Sequence, residues 1–299
     1  MTSSVLKTRL NNSQGGAGPA LLAPGAYDAF SALLVEQAGF EAIYMSGASI
    51  SYTQIGRPDV GLMSATQVAD IIGRVADRVS IPLIVDADTG FGNALNVQHT
   101  VRIFERMGAA ALQLEDQTAP KRCGHLAGKE LVSASEMVGK IKAAVDARDS
   151  DNTLIIARTD AIAVEGFEQA LERARRYVDA GADVIFVEAP QSLDQMTAIC
   201  AAMPHTPLLA NMVEGGKTPI LSCDELSNMG YKLVIAPGSM VRAHAFMARE
   251  FLHQLKADGT TAGFRDRMLN FSQINELLGL PDLIADGIAY ETRAPGRAS

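Results

Sequence analysis

Cysteine is scarce in this 299-residue chain, and the little there is does not cluster. Cys123, Cys200 and Cys223 cannot all pair with one another and stand in no Cys-x-x-Cys spacing, which leaves out a disulfide framework and a structural zinc site. Positive charge is short as well. The formal net charge is −8, and Lys and Arg are scattered without a basic run, so neither nucleic acid nor an anionic membrane is expected as a partner. Nowhere do about 18 apolar residues follow one another, so no membrane span is expected. The opening MTSSVLKTRLNNSQGG holds no apolar stretch of signal-peptide length, which sets the expectation of a cytoplasmic protein.

Apolar residues, by contrast, are plentiful. With 47% hydrophobic and 20% charged residues, a chain of this size can bury roughly three quarters of its unfolded surface. A globular protein that handles a small molecule is the class left standing. One phrase recurs along it: an amphipathic stretch ending in glycine, then a short apolar run. Gly39 precedes FEAIYMS, Gly108 precedes AAALQLE, Gly181 precedes ADVIFVE and Gly230 precedes YKLVIAP. Glycine just past a helix can take the left-handed conformation that caps the last turn, so each phrase reads as helix, cap, strand.

Eight runs are near-continuously apolar, as strands buried on both faces should be. They cover 21–24, 42–45, 83–85, 111–114, 154–157, 184–187, 208–210 and 233–236. Helical segments fill the intervals at 26–38, 65–79, 97–107, 134–148, 167–180, 193–202 and 223–229, two of them opened by capping-box pairs, Ser133 with Glu136 and Ser222 with Glu225. This alternation is the sequence form of an α/β (β/α)8 TIM-type barrel, although an open doubly wound sheet can be written similarly. Residues 240–256 and 265–278 add a C-terminal helical extension, and a loose tail is expected from Arg293. No linker divides the chain, so residues 1–20 are expected to be a flexible segment and 21–299 one domain.

Such barrels carry their chemistry at the C-terminal ends of the strands. Polar residues stop the apolar runs at those points: Ser46, Asp86 and Asp88, Glu115 and Asp116, Arg158 and Asp160, Glu188, Asn211 and Glu214. Each taken singly is as easily a helix cap or a solvated loop residue. Carboxylates gathered at one barrel mouth repel one another unless a cation sits among them. Asp86 and Asp88 in DADTGFGN lie two apart, so both can face one hard cation such as Mg²⁺ or Mn²⁺; an Asx-capped glycine turn is the plainer reading of the same residues. In KRCGH, Cys123 is flanked by Lys121, Arg122 and His125, a setting that favours the thiolate and suits a nucleophile or a proton carrier. Cys200 and Cys223 read as small buried apolar groups.

At these residues the chain resembles the isocitrate lyase and phosphoenolpyruvate mutase superfamily. The resemblance runs from about residue 21 to 280 through YMSGAS, RPDVG, VDADTGFGN, LEDQTAPKRCGH, IIARTDA, FVEAP and LANMVEGGKTP. KRCGH after LEDQ is specific for the lyase branch, near 2-methylisocitrate lyase and the 2,3-dimethylmalate lyase and petal-death-protein group. The resemblance implies a Mg²⁺-dependent carbon–carbon lyase that cleaves a 2-hydroxy di- or tricarboxylate to an α-keto acid such as pyruvate and a second carboxylate. It implies that Asp86 and Asp88 hold the metal, assisted by Asp59 and Glu115. It also implies that Ser46, Gly47 and Ala48 bind the keto-acid-side carboxylate, with Tyr44 beside them as a candidate base. Arg158 would bind and polarise the substrate and Cys123 would donate the proton, with Gly124, His125, Glu188, Asn211 and Arg242 completing the pocket. The resemblance further implies a homotetramer, a dimer of dimers, with the final helices exchanged between subunits.

Two departures narrow the substrate. Methylisocitrate lyases usually carry an arginine before the C-terminal Asn-Glu-Leu, where this chain has Ile274 in QINEL, and they tend to read SGG where it reads SGA at 46–48. A tricarboxylate deprived of a guanidinium keeps one carboxylate unpaired at a cost of several kcal/mol, on the order of a broken buried pair, so the smaller dicarboxylate is favoured. A carboxyphosphonoenolpyruvate phosphonomutase-like enzyme and an oxaloacetate hydrolase are the enzyme alternatives; Pro237 stands where the hydrolases tend to carry serine. A catalytically silent metabolite-binding barrel is the non-enzyme alternative, against which Asp86, Asp88, Cys123 and Arg158 are all present.

Overall fold

The four glycines that punctuate the sequence take positive φ, 85° at Gly39, 105° at Gly108, 101° at Gly181 and 117° at Gly230. Each ends a helix by donating its N–H to a carbonyl of the last turn, as Gly39 does to Glu36 O and Gly181 to Val178 O, both at 2.9 Å. The computed structural model describes residues 2–12, 19–122, 124 and 128–292. Helix α1 (Thr2–Asn12) comes first, then β1 (Leu21–Ala26), α2 (Ala29–Gln37) and β2 (Ile43–Met45). Next are α3 (Gly47–Gln54), α4 (Ala65–Arg78), β3 (Leu83–Asp86), α5 (Ala94–Arg106) and β4 (Ala109–Glu115). Then come α6 (Ala134–Ala147), β5 (Leu154–Thr159), α7 (Phe167–Asp179), β6 (Val184–Val187) and α8 (Leu193–Ala202). β7 (Leu208–Asn211), α9 (Cys223–Met229), β8 (Leu233–Ala236), α10 (Ser239–Asp258), α11 (Phe271–Leu277) and α12 (Leu280–Thr292) complete the chain.

All eight expected strands are present, and they pair in sequence order into one closed parallel barrel, β8 returning to β1 from Leu21 opposite Leu233 to Pro24 opposite Ala236. Closure settles the choice between a barrel and an open sheet. Two apolar layers hold it. Inward side chains such as Ala23, Tyr44, Ile84, Ile156, Phe186 and Ile235 fill the bore, while Val85, Leu112, Ile155 and Ile185 face the helices. The expected Ser222–Glu225 capping box forms in both directions, whereas Ser133 caps Glu136 N without a reciprocal bond.

The opening residues differ from the flexible segment expected of 1–20. Residues 2–12 form α1, and Leu6 and Leu10, one turn apart on a single face, are buried with bore residues Leu21, Leu154 and Val184. Their burial, and not helix propensity, explains the element. The chain separates into two compact units, 1–242 and 243–299. In the second, Phe251 and Phe264 meet edge to face at 5.3 Å, and Arg267 lies 4.6 Å over the Phe264 ring while pairing with Glu250 at 2.6 Å. The expected helix at 265–278 is instead a 3-10 turn, Ala262–Arg267, followed by α11; the expected tail from Arg293 lies outside the described residues. Among the described residues no helix is long and apolar enough to cross a membrane.

The β1–β8 seam depends on one glycine. A Cβ on Gly25 would stand 2.0 Å from Pro237 O, and backbone cannot retreat as a side chain does. Gly25→Ala should destabilise the protein by about 1–3 kcal/mol, as overpacking does, read as a lowered thermal midpoint. An unchanged midpoint would show that the seam relaxes freely.

Candidate active site

The segment DADTGFGN leaves the barrel through four positive-φ residues, Asp88 at 48°, Gly90 at 84°, Phe91 at 59° and Gly92 at 147°. Aspartate tolerates this conformation better than most residues, and here the turn is pinned from behind. Glu115 N donates to Asp88 O at 2.9 Å, Lys140 Nζ to Thr89 O at 3.2 Å, and Thr100 Oγ1 to Gly90 O at 3.2 Å. Asn93 then caps α5, with Asn96 closing the box. As a result Asp86 lines a small cavity of about 70 Å³ at the C-terminal end of the barrel, with Asp88 beside it.

Asp86 is oriented by two donors to one oxygen: Asp88 N at 3.1 Å and Gln113 Nε2 at 3.2 Å, both to Oδ1. Its Oδ2 turns toward Gly47, where a single point, the place of an absent Cβ, lies 2.9 Å from Asp86 Oδ2 and 3.5 Å from Asp88 Oδ1. Gln113 also accepts the Tyr44 hydroxyl at 2.7 Å. Burial, then the charge of Asp86, raises the Tyr44 phenol well above its ordinary value. The residue therefore stays protonated, a hydrogen-bond donor and a poor base as it stands.

Lys121 enters this acid group from the loop after β4. Its ammonium lies 2.6 Å from Asp59 Oδ1 and 2.7 Å from Asp88 Oδ1, the latter at an angle that leaves Asp88 Oδ1 without a hydrogen-bond partner. Burial would lower the Lys121 value, but Asp88, Asp86, Glu115 and Asp59 hold it well above the usual lysine range. Burial in turn pushes the Asp88 carboxyl up to about 6, helped by Asp86 and Asp59 and opposed by Lys121. Glu115, also raised by burial, pairs through Oε2 with Arg158 Nη1 at 3.3 Å and leaves Oε1 buried and unpartnered.

Arg158 is held on three sides. It donates to Asp160 through Nε at 2.9 Å and Nη2 at 3.1 Å, faces Glu115, and lies 3.7 Å from Glu188 Oε2, with its guanidinium 5.2 Å over the Phe186 ring. Asp160 also accepts from Lys129 at 2.8 Å; burial would raise its carboxyl, but Arg158 and Lys129 hold it below the usual range. Behind it, Asp116 accepts from Asp160 N, Thr159 Oγ1 and Tyr177 OH at 2.7–2.9 Å. Asp116 thus supports the strand end from outside the cleft.

Other expected residues stand around this centre. Ser46 caps α3 through Ser49 N at 3.2 Å, so Gly47 and Ala48 form the first turn of a helix whose N-terminus opens on the cleft. Gly124 packs so closely that a Cβ would come 2.3 Å from Arg158 Nη2. Asn211 donates to both Glu188 oxygens at 3.2 and 3.4 Å, which turns its own Oδ1, buried and unpartnered, away from that carboxylate. Arg242 lines the outer wall but is already paired with Glu214, which also accepts from Ser239 Oγ at 2.6 Å. Cys123 and His125 lie outside the described residues. Gln113 and Lys129 carry no assignment from the sequence, Asp160 is marked there only as a strand-end residue, and Lys121 only as a neighbour of Cys123. The lone polar residue inside AAALQLE is the available sign of Gln113.

The donor set suits a hard cation, since it offers carboxylate oxygens and no sulfur or imidazole among the described residues. Among those residues no three acidic, histidine or cysteine groups converge closely enough to hold an ion as they stand. Lys121 takes the intervening place. The unpartnered Glu115 Oε1, an Asp88 Oδ1 met only by Lys121, and the gap kept by Gly47 are nevertheless what a cation would fill.

A family model described as phosphoenolpyruvate phosphomutase matches residues 14–256. The chain is 46% identical over 260 residues to 2,3-dimethylmalate lyase of Eubacterium barkeri, covering 87% of this chain and 90% of that one. To 2-methylisocitrate lyase of Aeropyrum pernix it is 47% identical over 262 residues, 88% of this chain and 84% of the other. A crystal structure of 2,3-dimethylmalate lyase, a PEP mutase/isocitrate lyase superfamily member, superposes with a TM-score of 0.91 at 34% identity, covering 100% and 99% of the two chains. A phosphonopyruvate hydrolase in complex with oxalate and Mg²⁺ superposes at 0.84 with 32% identity, covering 95% and 98%. The chain therefore belongs to the phosphoenolpyruvate phosphomutase family of the PEP mutase/isocitrate lyase superfamily, among its carbon–carbon lyases.

Proposed function

We propose that this lyase cleaves a 2-hydroxy dicarboxylate of the 2-alkylmalate type, with a divalent cation, to an α-keto acid such as pyruvate and a second carboxylate. The observation that carries the reading is the acid group of Asp59, Asp86 and Glu115, which lines one cleft with Arg158 and is joined by Asp88; Glu115 Oε1 has no partner and Asp88 Oδ1 meets only the Lys121 ammonium. Asp86 through Oδ2 and Asp88 would hold Mg²⁺ or Mn²⁺, with Asp59 and Glu115 assisting directly or through water. Bound there, the ion would supply Lewis-acid stabilisation of the negative charge that builds on the substrate's oxygens.

The protein's own groups do the rest. The first turn of α3, capped by Ser46 and left narrow by Gly47 and Ala48, presents N–H groups to the keto-acid-side carboxylate. Arg158, kept in place by Asp160, orients the substrate, and Glu188 and Asn211 line its far side. The hydroxyl proton passes to a carboxylate of the acid group, of which Glu115 Oε1 has no partner, as the bond between C2 and C3 breaks, and the electron pair passes into the fragment that bears the second carboxylate. Cys123 gives its thiol proton to that carbon. Tyr44, held as a phenol against Gln113, keeps Gln113 and through it Asp86 in register.

The smaller substrate follows from the cations at hand. Of the four cations lining the cleft, Arg158 faces three acids, Lys121 two, and Arg242 is already matched by Glu214, and Arg122 is the fourth; Ile274 in QINEL, where methylisocitrate lyases usually carry an arginine, favours the smaller substrate. We also propose a homotetramer, a dimer of dimers, in the cytoplasm. In its support, the second unit exposes Phe246, Phe271, Leu283 and Tyr290 by 65–85%, more apolar surface than a lone helical unit usually shows to water. A monomeric mass by light scattering at micromolar concentration would refute that assembly.

A panel of 2-hydroxy di- and tricarboxylates with Mg²⁺, coupled to keto-acid detection, tests the function. Highest kcat/KM is expected on a 2-alkylmalate; preference for a tricarboxylate, or turnover of a phosphonate alone, would overturn it. On the best substrate Cys123→Ser should keep pyruvate binding while lowering kcat by about 10²–10⁴, the usual worth of a positioned acid. Near-normal kcat would remove Cys123 from the proton-donor role.

A further inference from the structure

Five cations are buried among the described residues: Lys121, Lys129, Lys140, Arg158 and Arg173. Four of them pair with acids: Lys121 with Asp59 and Asp88, Lys129 with Asp160, Arg158 with Glu115 and Asp160, and Arg173 with Asp116 and Glu165. Lys140, in the middle of α6, forms no ion pair among those residues. Its ammonium donates to the Thr89 carbonyl at 3.2 Å, and the acid that favours its charge, Glu136, is exposed one turn back. Burial outweighs that help and lowers the Lys140 value, so the ammonium is less favoured here than in the unfolded chain. An apolar side chain of the same length would fill the place without taking a charge out of water. Packing does not account for this lysine.

Its one partner lies in the turn that presents Asp88. Three successive carbonyls of that turn are each held by a different element: Asp88 O by Glu115 N of β4, Thr89 O by Lys140 of α6, and Gly90 O by Thr100 of α5. Asp88 stands at φ 48°, a conformation that a residue other than glycine keeps only where its surroundings fix it. Thr89 is buried, so water is a poor substitute partner for its carbonyl. Lys140 is the middle pin and the charged donor of the three, and a charged donor holds a carbonyl more firmly than a neutral one. We propose that Lys140 is a positioning residue: by holding the Thr89 carbonyl it keeps Asp88 in the left-handed conformation that sets Asp88 Oδ1 and Asp86 Oδ2 3.5 and 2.9 Å from one point. Fold stability is given up so that two acids stay side by side. As a statement about a cation site this rests on the metal reading above and deepens it; the fixing of the turn stands apart from that reading.

The test compares the wild type with Lys140→Met, which keeps the length and loses the donor, and Lys140→Arg, which keeps a charged donor. Lys142→Met, at an exposed position of the same helix, is the control, and Lys140→Gln is read in place of Lys140→Met if that variant does not fold. Hydrogen exchange of the metal-free protein is followed by mass spectrometry over 86–92, where the Gly90 amide, bonded to Ala87 O at 2.9 Å, reports the turn. The thermal midpoint of the metal-free protein and the Mn²⁺ affinity without substrate, by electron paramagnetic resonance, complete the set. In Lys140→Met the exchange should quicken and Mn²⁺ binding weaken, each by about tenfold or more, the usual worth of a hydrogen bond to a charged group, while the midpoint holds or rises. Lys140→Arg should recover most of both, and Lys142→Met should match the wild type. Unchanged exchange in the folded variant, or faster exchange with a lowered midpoint, marks a merely structural lysine and overturns the proposal, as does wild-type Mn²⁺ affinity in a variant whose turn has loosened. No Mn²⁺ binding to the wild type, with the exchange result as expected, overturns the metal reading and leaves the positioning of Asp88.

Discussion

The site is organised by an excess of buried negative charge. Among the described residues, Asp59, Asp86, Asp88, Glu115, Asp160 and Glu188 meet at one end of the barrel, and Arg158, Lys121 and Lys129 are the cations paired with them. Two like charges about 4 Å apart cost on the order of 4 kcal/mol at an effective dielectric of about 20, so two or three such repulsions rival the whole stability of a domain. The chain meets this in two ways. It fixes the acids rigidly from behind, and it sets Lys121 against Asp88, whose carboxyl burial raises to about 6.

That rigidity explains why so many surrounding residues have one acceptable identity. Gly47 leaves room for two carboxylate oxygens, Gly124 leaves room for Arg158, and Gly25 lets the β1–β8 seam close. Gln113 ties Asp86 to Tyr44 across the bore, and Asp116 ties the end of β5 to α7 through Tyr177 and Arg173. None of these needs to touch a substrate to matter for it. Each removes a way for the acids to swing apart.

The barrel is legible in the sequence because strands buried on both faces are continuous apolar runs and because left-handed glycines mark the helix ends. The elements that escape such a reading lack those marks. Helix α1 carries two buried leucines among polar residues, and α3, GASISYTQ, owes its start to the Ser46 cap more than to an apolar stripe. Helix α12 lies beyond the last helix expected, although Leu280, Leu283, Ile284 and Ile288 recur at helical spacing. At the site, the acids are legible where strands end, but the role of Lys121 is not. Its sequence neighbours point its charge at Cys123, whereas Asp59 and Asp88 take it up; a pairing across 62 residues leaves no trace in local spacing.

Whether the acid group is a cation site is best decided by counting bound metal. Titration of the metal-stripped protein with Mn²⁺, following free ion by electron paramagnetic resonance, should give one tight Mn²⁺ per chain. In Asp86→Asn and Asp88→Asn, folded by circular dichroism, that binding should be lost. Lyase turnover undiminished in EDTA with no bound Mn²⁺, or wild-type Mn²⁺ affinity in the folded Asp88→Asn variant, would contradict it.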